Sequence, residues 1–167
     1  MPADMELRIA GIENDSIVDG EGCRFTIFVQ GCPRRCRNCH NEAAQNFDGG
    51  VVVDTEEIVK KIAANPLLDG VTFSGGEPFC QGAPLTEIAD KVHAMGLNVW
   101  VYSGNTFEEL ASSADENVKG LLNAADVLVD GEYMDELRDL SLKFRGSSNQ
   151  RIIDLNKTRA AHAVVLY

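Results

Sequence analysis

The sequence of 167 residues contains no long hydrophobic run, and its N-terminus lacks a basic segment leading into a hydrophobic one. From these absences we expect neither a membrane-spanning helix nor a secretory signal, and we expect a cytoplasmic protein. Positive charge is also scarce, because 15 basic side chains stand against 26 acidic ones, a formal net charge of −11. Nucleic-acid binding needs a basic surface, so this balance argues against a nucleic-acid partner.

An even set of cysteines is also absent. The chain has five, and three of them, Cys32, Cys36 and Cys39, fall within eight residues. In a cytosolic protein, cysteines clustered in this way are more often metal ligands or catalytic groups than disulfides. Because a metal held by protein alone usually has four ligands, three cysteines predict a site with one open position.

Three kinds of site could use these cysteines. Structural zinc needs a fourth ligand such as His40, but neighbouring side chains in extended backbone point in opposite directions, so Cys39 and His40 suit one ion poorly. A redox disulfide between Cys36 and Cys39 leaves Cys32 without a role. An iron–sulfur cluster accounts for all three thiolates and is the interpretation we favour.

Other residues have plainer interpretations. Cys23 and Cys80 stand apart from the cluster and are expected to be small buried thiols, since free cysteine is among the most buried residue types. Trp100 lies between Val99 and Val101 and is expected in the core.

Strand-like and helix-like segments alternate along the chain. Helices are predicted after the capping pattern Asp54–Glu57, over 84–95, and after the capping pattern Thr106–Glu109. The predicted strands are Arg24–Val29, Gly70–Ser74, Asn98–Tyr102, Ala125–Asp130 and Gln150–Leu155. This alternation predicts an α/β fold with a mainly parallel sheet, and the number of units favours a partial, open β/α barrel. We expect one domain over residues 1–167, with residues 1–16 an N-terminal extension and 156–167 a tail.

Four residues that could carry chemistry fall at or just beyond the carboxyl ends of predicted strands: Cys32, Gly75, Ser103 and Asp130. In α/β sheets and barrels, active sites lie at this edge. The segment Gly75-Gly76-Glu77-Pro78 lacks the lysine of a phosphate-binding loop, and Glu77 would repel phosphate. Its exposed backbone groups and carboxylate suit a cationic amine instead.

Together, the Cys-x-x-x-Cys-x-x-Cys loop and the later Gly-Gly-Glu-Pro resemble the radical S-adenosylmethionine enzymes, whose partial barrel fits the predicted architecture. The short length, Val127–Gly131 and Leu142–Gln150 make the chain similar to the activating proteins of anaerobic ribonucleoside-triphosphate reductase. The resemblance extends from about Ile17 to Leu155, and Arg145–Gln150 is its most specific part. We expect that segment to face the cofactor or the reductase.

The resemblance implies a 4Fe-4S cluster on Cys32, Cys36 and Cys39, with S-adenosylmethionine on the open iron. It further implies that Gly75, Gly76 and Glu77 hold the amino group, that Asn38 and His40 lie against the nucleoside, and that Ser103 and Asp130 lie near the carboxylate and ribose. Glu132 stands where some relatives carry lysine, and no cofactor contact is expected from it.

The resemblance also implies the reaction. Reductive cleavage of S-adenosylmethionine would give a 5′-deoxyadenosyl radical, which would take a hydrogen atom from a glycine of the reductase and leave a glycyl radical there. The partners would be the reductase and an electron donor such as a flavodoxin-type protein. Two alternatives stay open: a radical S-adenosylmethionine enzyme acting on a small molecule, and an iron–sulfur electron-transfer or metal-binding module.

Overall fold

The computed structural model describes residues 5–33 and 44–167, and these residues form one sheet of seven strands. The strands are β1 (Glu6–Ser16), β2 (Arg24–Val29), β3 (Val51–Asp54), β4 (Gly70–Gly75), β5 (Asn98–Tyr102), β6 (Val127–Asp130) and β7 (Arg151–Asp154). Their order across the sheet is β3-β1-β2-β4-β5-β6-β7.

The centre of the sheet is parallel and its flanks are antiparallel. Strands β2, β4, β5 and β6 pair in parallel, whereas β1 is antiparallel to both β2 and β3, and β7 is antiparallel to β6. The predicted α/β class and mostly parallel sheet are therefore confirmed. The described strands leave the sheet open, with β3 and β7 at its edges.

Five helices accompany these strands in the described part of the chain: α1 (Thr55–Ala63), α2 (Gly82–Ala94), α3 (Phe107–Ala111), α4 (Glu116–Ala124) and α5 (Leu155–Ala161). The predicted caps are present where they were expected. The Asp54 carboxylate accepts a hydrogen bond from the Glu56 N–H (2.9 Å), and Thr106 and Glu109 form a reciprocal capping box. These side chains satisfy N–H groups that the first helical turn leaves free.

One face of the sheet packs against the helices and forms the main hydrophobic core. Alternate strand residues such as Phe25, Phe73 and Val101 point into it and meet helix residues such as Ile58 and Ile88. Because strand side chains alternate between faces, the intervening residues lie on the opposite face. That second face leads to the pocket described below.

Near the amino ends of the strands, the second face is closed by a group we call the floor cluster: Arg24, Trp100 and Tyr167. Arg24 is fully buried, and its guanidinium lies 5.4 Å from the centroid of the Trp100 ring. The Tyr167 ring packs edge-on against Trp100, and the Tyr167 hydroxyl contacts Glu21. The expectation that Trp100 belongs to the core is confirmed.

Every nitrogen of the Arg24 guanidinium has a hydrogen-bond acceptor. Nε donates to Thr72 Oγ1 (2.7 Å), one terminal nitrogen donates to the Glu21 carbonyl (2.9 Å), and the other donates to the Asn98 side chain (2.6 Å). Burial still lowers the Arg24 pKa to about 10. The floor cluster is therefore complete without a ligand.

Much of the expected N-terminal extension and of the expected C-terminal tail forms regular structure. Residues 1–16 were expected to be an N-terminal extension, yet Glu6–Ser16 forms the eleven-residue strand β1. The expected tail contains most of α5, and beyond it the Tyr167 N–H donates to the Ile152 carbonyl (2.8 Å). In the described residues, no helix is both long and apolar enough to cross a membrane.

The expectation that Cys23 and Cys80 are buried is wrong. Cys23 is half-buried and Cys80 is exposed. Although the Cys80 residue reaches the surface, desolvation of its thiol, followed by the nearby charges of Glu77 and Cys32, raises its pKa to about 11. This raised pKa disfavours the thiolate form of Cys80.

Candidate functional site

A pocket of about 760 Å³ opens at the carboxyl ends of the central strands. This volume is typical of small-molecule and cofactor sites. One wall is formed by Cys32 and Gln45, the base by Gly75, Gly76 and Ser103, and the far wall by residues 142–146 and Gln150. Ile17 and Val18 reach the pocket from the loop that follows β1 and are strongly exposed.

The cysteine loop begins and ends in a hydrogen-bonded base beside the pocket. The Gly31 N–H donates to the Ala44 carbonyl, and the Cys32 N–H donates to the Gln45 carbonyl (2.9 Å). Cys32 is half-buried and lines the pocket. The other predicted cluster and nucleoside residues, Cys36, Asn38, Cys39 and His40, lie outside the described residues.

The Gly-Gly-Glu turn is bonded directly to the start of the cysteine loop. The Gly76 N–H donates to the Val29 carbonyl and the Glu77 N–H donates to the Gly31 carbonyl, each at 2.8 Å. A Cβ on Gly76 would overlap the Gly31 carbonyl oxygen, and Gly75 has a φ of +97°. Glycine is therefore required at both positions, and the two motifs identified in the sequence meet at one edge of the sheet.

Glu77 lies beneath this turn and is only 2% exposed. Its carboxylate accepts hydrogen bonds from Ser103 Oγ (3.0 Å to each oxygen), the Gly104 N–H (2.8 Å) and the Phe79 N–H (3.1 Å). The structure thus brings Glu77 and Ser103 together from the ends of β4 and β5. Their roles toward an amino group and a carboxylate stay predictions.

Asp130 is also buried, but it is not among the residues that line the pocket. Its carboxylate accepts from Nε (3.1 Å) and Nη2 (2.5 Å) of Arg151 and from the Phe107 N–H (2.7 Å). The hydrogen bond to Asp130, and then the one to Glu108, raises the Arg151 pKa above its ordinary value. Asp130 therefore ties β6 to β7 and α3, and its predicted contact with a ribose stays a prediction.

The far wall explains much of the Arg145–Gln150 motif. Gln150 Oε1 accepts from the Gly146 N–H (2.9 Å) and the Ser147 N–H (3.2 Å), while Gln150 Nε2 donates to the Gly131 carbonyl (3.0 Å). Gln150 thus fastens the segment to the chain just beyond β6. Arg145 lines the pocket. The expectation that this segment faces the cofactor or the reductase stays a prediction.

Sequence reasoning missed several pocket residues. Phe28, Ser74 and Tyr102 line the pocket because they lie on the strand face opposite the core. The two-residue period of β2, β4 and β5 carried that signal. Burial, followed by the charge of Asp19, raises the Tyr102 pKa, so its phenol is a neutral group.

Two residues that line this pocket carry a buried hydrogen-bond donor with no partner among the described residues. The donors are Gln45 Nε2 and Arg145 Nε. Buried polar groups are nearly always paired, so unpaired donors on residues that line a cavity are what a ligand with acceptor atoms would satisfy. The pocket, the Cys32 thiol and these donors together fit an iron–sulfur cluster with a polar cofactor beside it.

The comparisons with known proteins agree with this chemistry. Residues 18–153 match the model of a family described as "4Fe-4S single cluster domain". An α/β chain with a cysteine loop at the carboxyl edge of its sheet belongs with that class of iron–sulfur proteins.

The matching proteins narrow the class. The anaerobic ribonucleoside-triphosphate reductase-activating protein of Haemophilus influenzae is 34% identical over 146 residues, 81% of this chain and 90% of that protein. Its counterpart in Escherichia coli K12 is 34% identical over 142 residues, 80% and 90% of the two chains. The chain belongs to the family of anaerobic ribonucleoside-triphosphate reductase-activating proteins.

Two further likenesses are more distant. The pyruvate formate-lyase-activating enzyme of Clostridium pasteurianum is 37% identical over 117 residues, 65% of this chain and 49% of that protein. Among solved structures, QueE from Escherichia coli overlaps with a TM-score of 0.48 at 16% identity, covering 60% of this chain and 54% of that one. That overlap is too loose to define the fold.

Proposed function

We propose that this protein activates an anaerobic ribonucleoside-triphosphate reductase by generating a glycyl radical on it, using a 4Fe-4S cluster and S-adenosylmethionine. The observation that carries the proposal is the hydrogen bond from the Glu77 N–H to the Gly31 carbonyl. It fixes the Gly-Gly-Glu turn against the cysteine loop at the mouth of a cofactor-sized pocket. Family membership supports the same activity.

We propose residues for the cluster and for the cofactor. Cys32, Cys36 and Cys39 would hold the cluster. Gly75 and Gly76 present backbone beside Cys32, since both glycines line the same pocket. We propose that Glu77, Ser103, Asn38 and His40 complete the cofactor site on a partial barrel of the radical S-adenosylmethionine type, all within one domain.

A bound, reduced cluster would supply the electron for reductive cleavage of the S-adenosylmethionine sulfonium, the chemistry that makes hydrogen-atom abstraction possible. The described residues supply position and exclusion of water. Phe28, Tyr102 and Phe144 give the pocket apolar surface. The Glu77 carboxylate is held in place beneath the turn by three donors, the Ser103 hydroxyl and the N–H groups of Gly104 and Phe79.

A protein substrate suits the mouth of the pocket better than a small molecule. Ile17 and Val18 are 74% and 71% exposed at its edge, which is unusual for neighbouring large aliphatic residues. A partner that covers them would bury apolar surface and close the pocket. We propose the reductase as that partner, a flavodoxin-type protein as the electron donor, and the cytoplasm as the compartment.

The test is anaerobic reconstitution with iron and sulfide, followed by reduction in the presence of S-adenosylmethionine. We expect formation of 5′-deoxyadenosine, measured by chromatography. Cys36→Ala should remove the cluster and the product together. A reconstituted wild-type protein that binds no S-adenosylmethionine would instead indicate an electron-transfer module.

A further inference from the structure

Gln45 differs from the other three glutamines of the chain. The side-chain amides of Gln30, Gln81 and Gln150 donate to backbone carbonyls at 2.6 to 3.2 Å. Gln45 is only 9% exposed, and its buried Nε2 has no hydrogen-bond partner among residues 5–33 and 44–167. A buried donor without an acceptor is costly, so its retention needs a reason.

The position of Gln45 suggests that reason. Its carbonyl accepts the Cys32 N–H at 2.9 Å, so the two residues are adjacent at the base of the cysteine loop. Both also line the pocket. Gln45 therefore lies next to Cys32, which carries the one described thiol of the proposed cluster. Among the described residues, the side-chain N–H group of Gln45 has no acceptor.

We propose that Gln45 Nε2 donates a hydrogen bond to a sulfur of the cluster held by Cys32, and so tunes its reduction potential. This inference rests on the cluster of the proposed function. Hydrogen bonds to cluster sulfurs stabilise the more negative, reduced state and raise the potential. Gln45 is thus a positioning and tuning residue for the cluster, rather than a ligand.

Thr26 offers a matched control, because its Oγ1 is also buried and unpaired. Thr26 is fully buried in β2 and does not line the pocket. If the unpaired amide of Gln45 were only a tolerated defect, Gln45→Leu and Thr26→Val would behave alike. Each would remove an unpaired polar group and leave the cluster unchanged.

The experiment is a potentiometric titration of the reconstituted protein, followed by electron paramagnetic resonance. For Gln45→Leu we expect the equilibrium constant for reduction of the cluster to fall at least tenfold. For a one-electron couple, this makes the reduction potential about 59 mV more negative. Gln45→Glu, which also adds negative charge, should shift it further in the same direction. Thr26→Val should leave it unchanged, and an unchanged potential in Gln45→Leu overturns the inference.

A second measurement needs no variant. Protein carrying ¹⁵N in its glutamine side-chain amides should show a ¹⁵N coupling to the reduced cluster in pulsed electron paramagnetic resonance. Absence of that coupling overturns the inference even if Gln45→Leu fails to fold.

The remaining outcomes separate this inference from the proposed function. A wild-type protein that assembles no cluster contradicts the function itself. If Gln45→Leu keeps a normal cluster with an unchanged potential but binds S-adenosylmethionine more weakly, the Gln45 amide donates to the cofactor. The assignment of this hydrogen bond to a cluster sulfur is then wrong.

Discussion

The floor cluster and the pocket wall lie on the same face of one sheet, but they differ in how completely their polar groups are paired. Arg24 is fully buried, and each of its guanidinium nitrogens has an acceptor. On the pocket wall, Gln45 and Arg145 each keep a buried donor that has no partner among the described residues. Complete pairing marks a part of the fold that needs nothing more, whereas unpaired donors on residues that line a cavity indicate a place for a ligand.

The largest expected effect is at the cysteine loop. Cys32→Ala should abolish cluster assembly and reduce 5′-deoxyadenosine formation below detection, because one of three proposed ligands is lost. The fold should survive, since the loop base is held by backbone hydrogen bonds. Iron and sulfide content, with circular dichroism as the control, measures both. An active, stoichiometric cluster in this variant would contradict the ligand assignment.

Arg24→Met should destabilise the fold at the floor cluster and leave the proposed iron–sulfur site intact. It leaves the acceptors on Thr72, Asn98 and the Glu21 carbonyl without their donor, and we expect about 3 kcal/mol of destabilisation. Urea unfolding of the cluster-free protein measures this loss. The folded fraction should still assemble a cluster. A change below about 0.5 kcal/mol would mean that the floor cluster contributes little to stability.

The same substitution on the far wall, Arg145→Met, should have the opposite effects: a small loss of stability and a large loss of activity. Arg145 is half-buried and its described hydrogen bond goes to the Gln150 carbonyl (3.1 Å), so we expect a stability loss of about 1 kcal/mol or less. Formation of 5′-deoxyadenosine in the presence of the reductase should fall about tenfold, equivalent to about 1.4 kcal/mol. If Arg145→Met loses more stability than Arg24→Met while keeping full activity, the contrast between floor and wall fails.

A smaller effect is expected at Asp126, which belongs to neither region although its charge acts on Arg24. Burial raises its pKa, but hydrogen bonds from Asn156 and His93 and from the Val99 N–H outweigh it, and the pKa lies below its ordinary value. A carboxyl with a lowered folded pKa contributes stability above its unfolded pKa of about 3.9, and this contribution is lost as pH falls through the folded pKa.

Asp126→Asn should therefore be about 1 kcal/mol less stable than wild type at pH 7. The difference should shrink as the pH falls below about 4. Chemical unfolding at a series of pH values measures it. A gap that stays constant down to pH 2 would show that the ionised carboxylate is not the stabilising species.

Much of this fold was predictable because its local signals agree. The bounds of β2 and β5 match the prediction, since both strands are short, apolar and bounded by turn residues. Strand β1 was missed because only Leu7 and Ile9 among its apolar residues are buried, and the stretch 13–15 in its second half is polar and exposed. A strand that packs over half its length has no clear two-residue period.

The sequence predicted the part of the candidate site where the backbone requires glycine. It did not reveal which side chains from distant segments form hydrogen bonds with one another. Gly75 and Gly76 were identified from their position after a predicted strand and from the Gly-Gly-Glu-Pro motif, and the structure shows that a Cβ at either position would overlap neighbouring backbone. Asp130 was expected near the ribose from its place at a strand end and from the family resemblance. The sequence does not reveal that Arg151 pairs with it, and the ribose contact stays a prediction. Gln45 carries no sequence signal, since an unpaired amide becomes apparent only when all its neighbours are placed.

The most direct test of the central claim is electron paramagnetic resonance of an anaerobic ribonucleoside-triphosphate reductase incubated with this protein, a reductant and S-adenosylmethionine. The account predicts a glycine-centred radical on the reductase that needs all three additions and is absent with Cys32→Ala. Cleavage of S-adenosylmethionine without any radical on the reductase would contradict it and favour a small-molecule substrate.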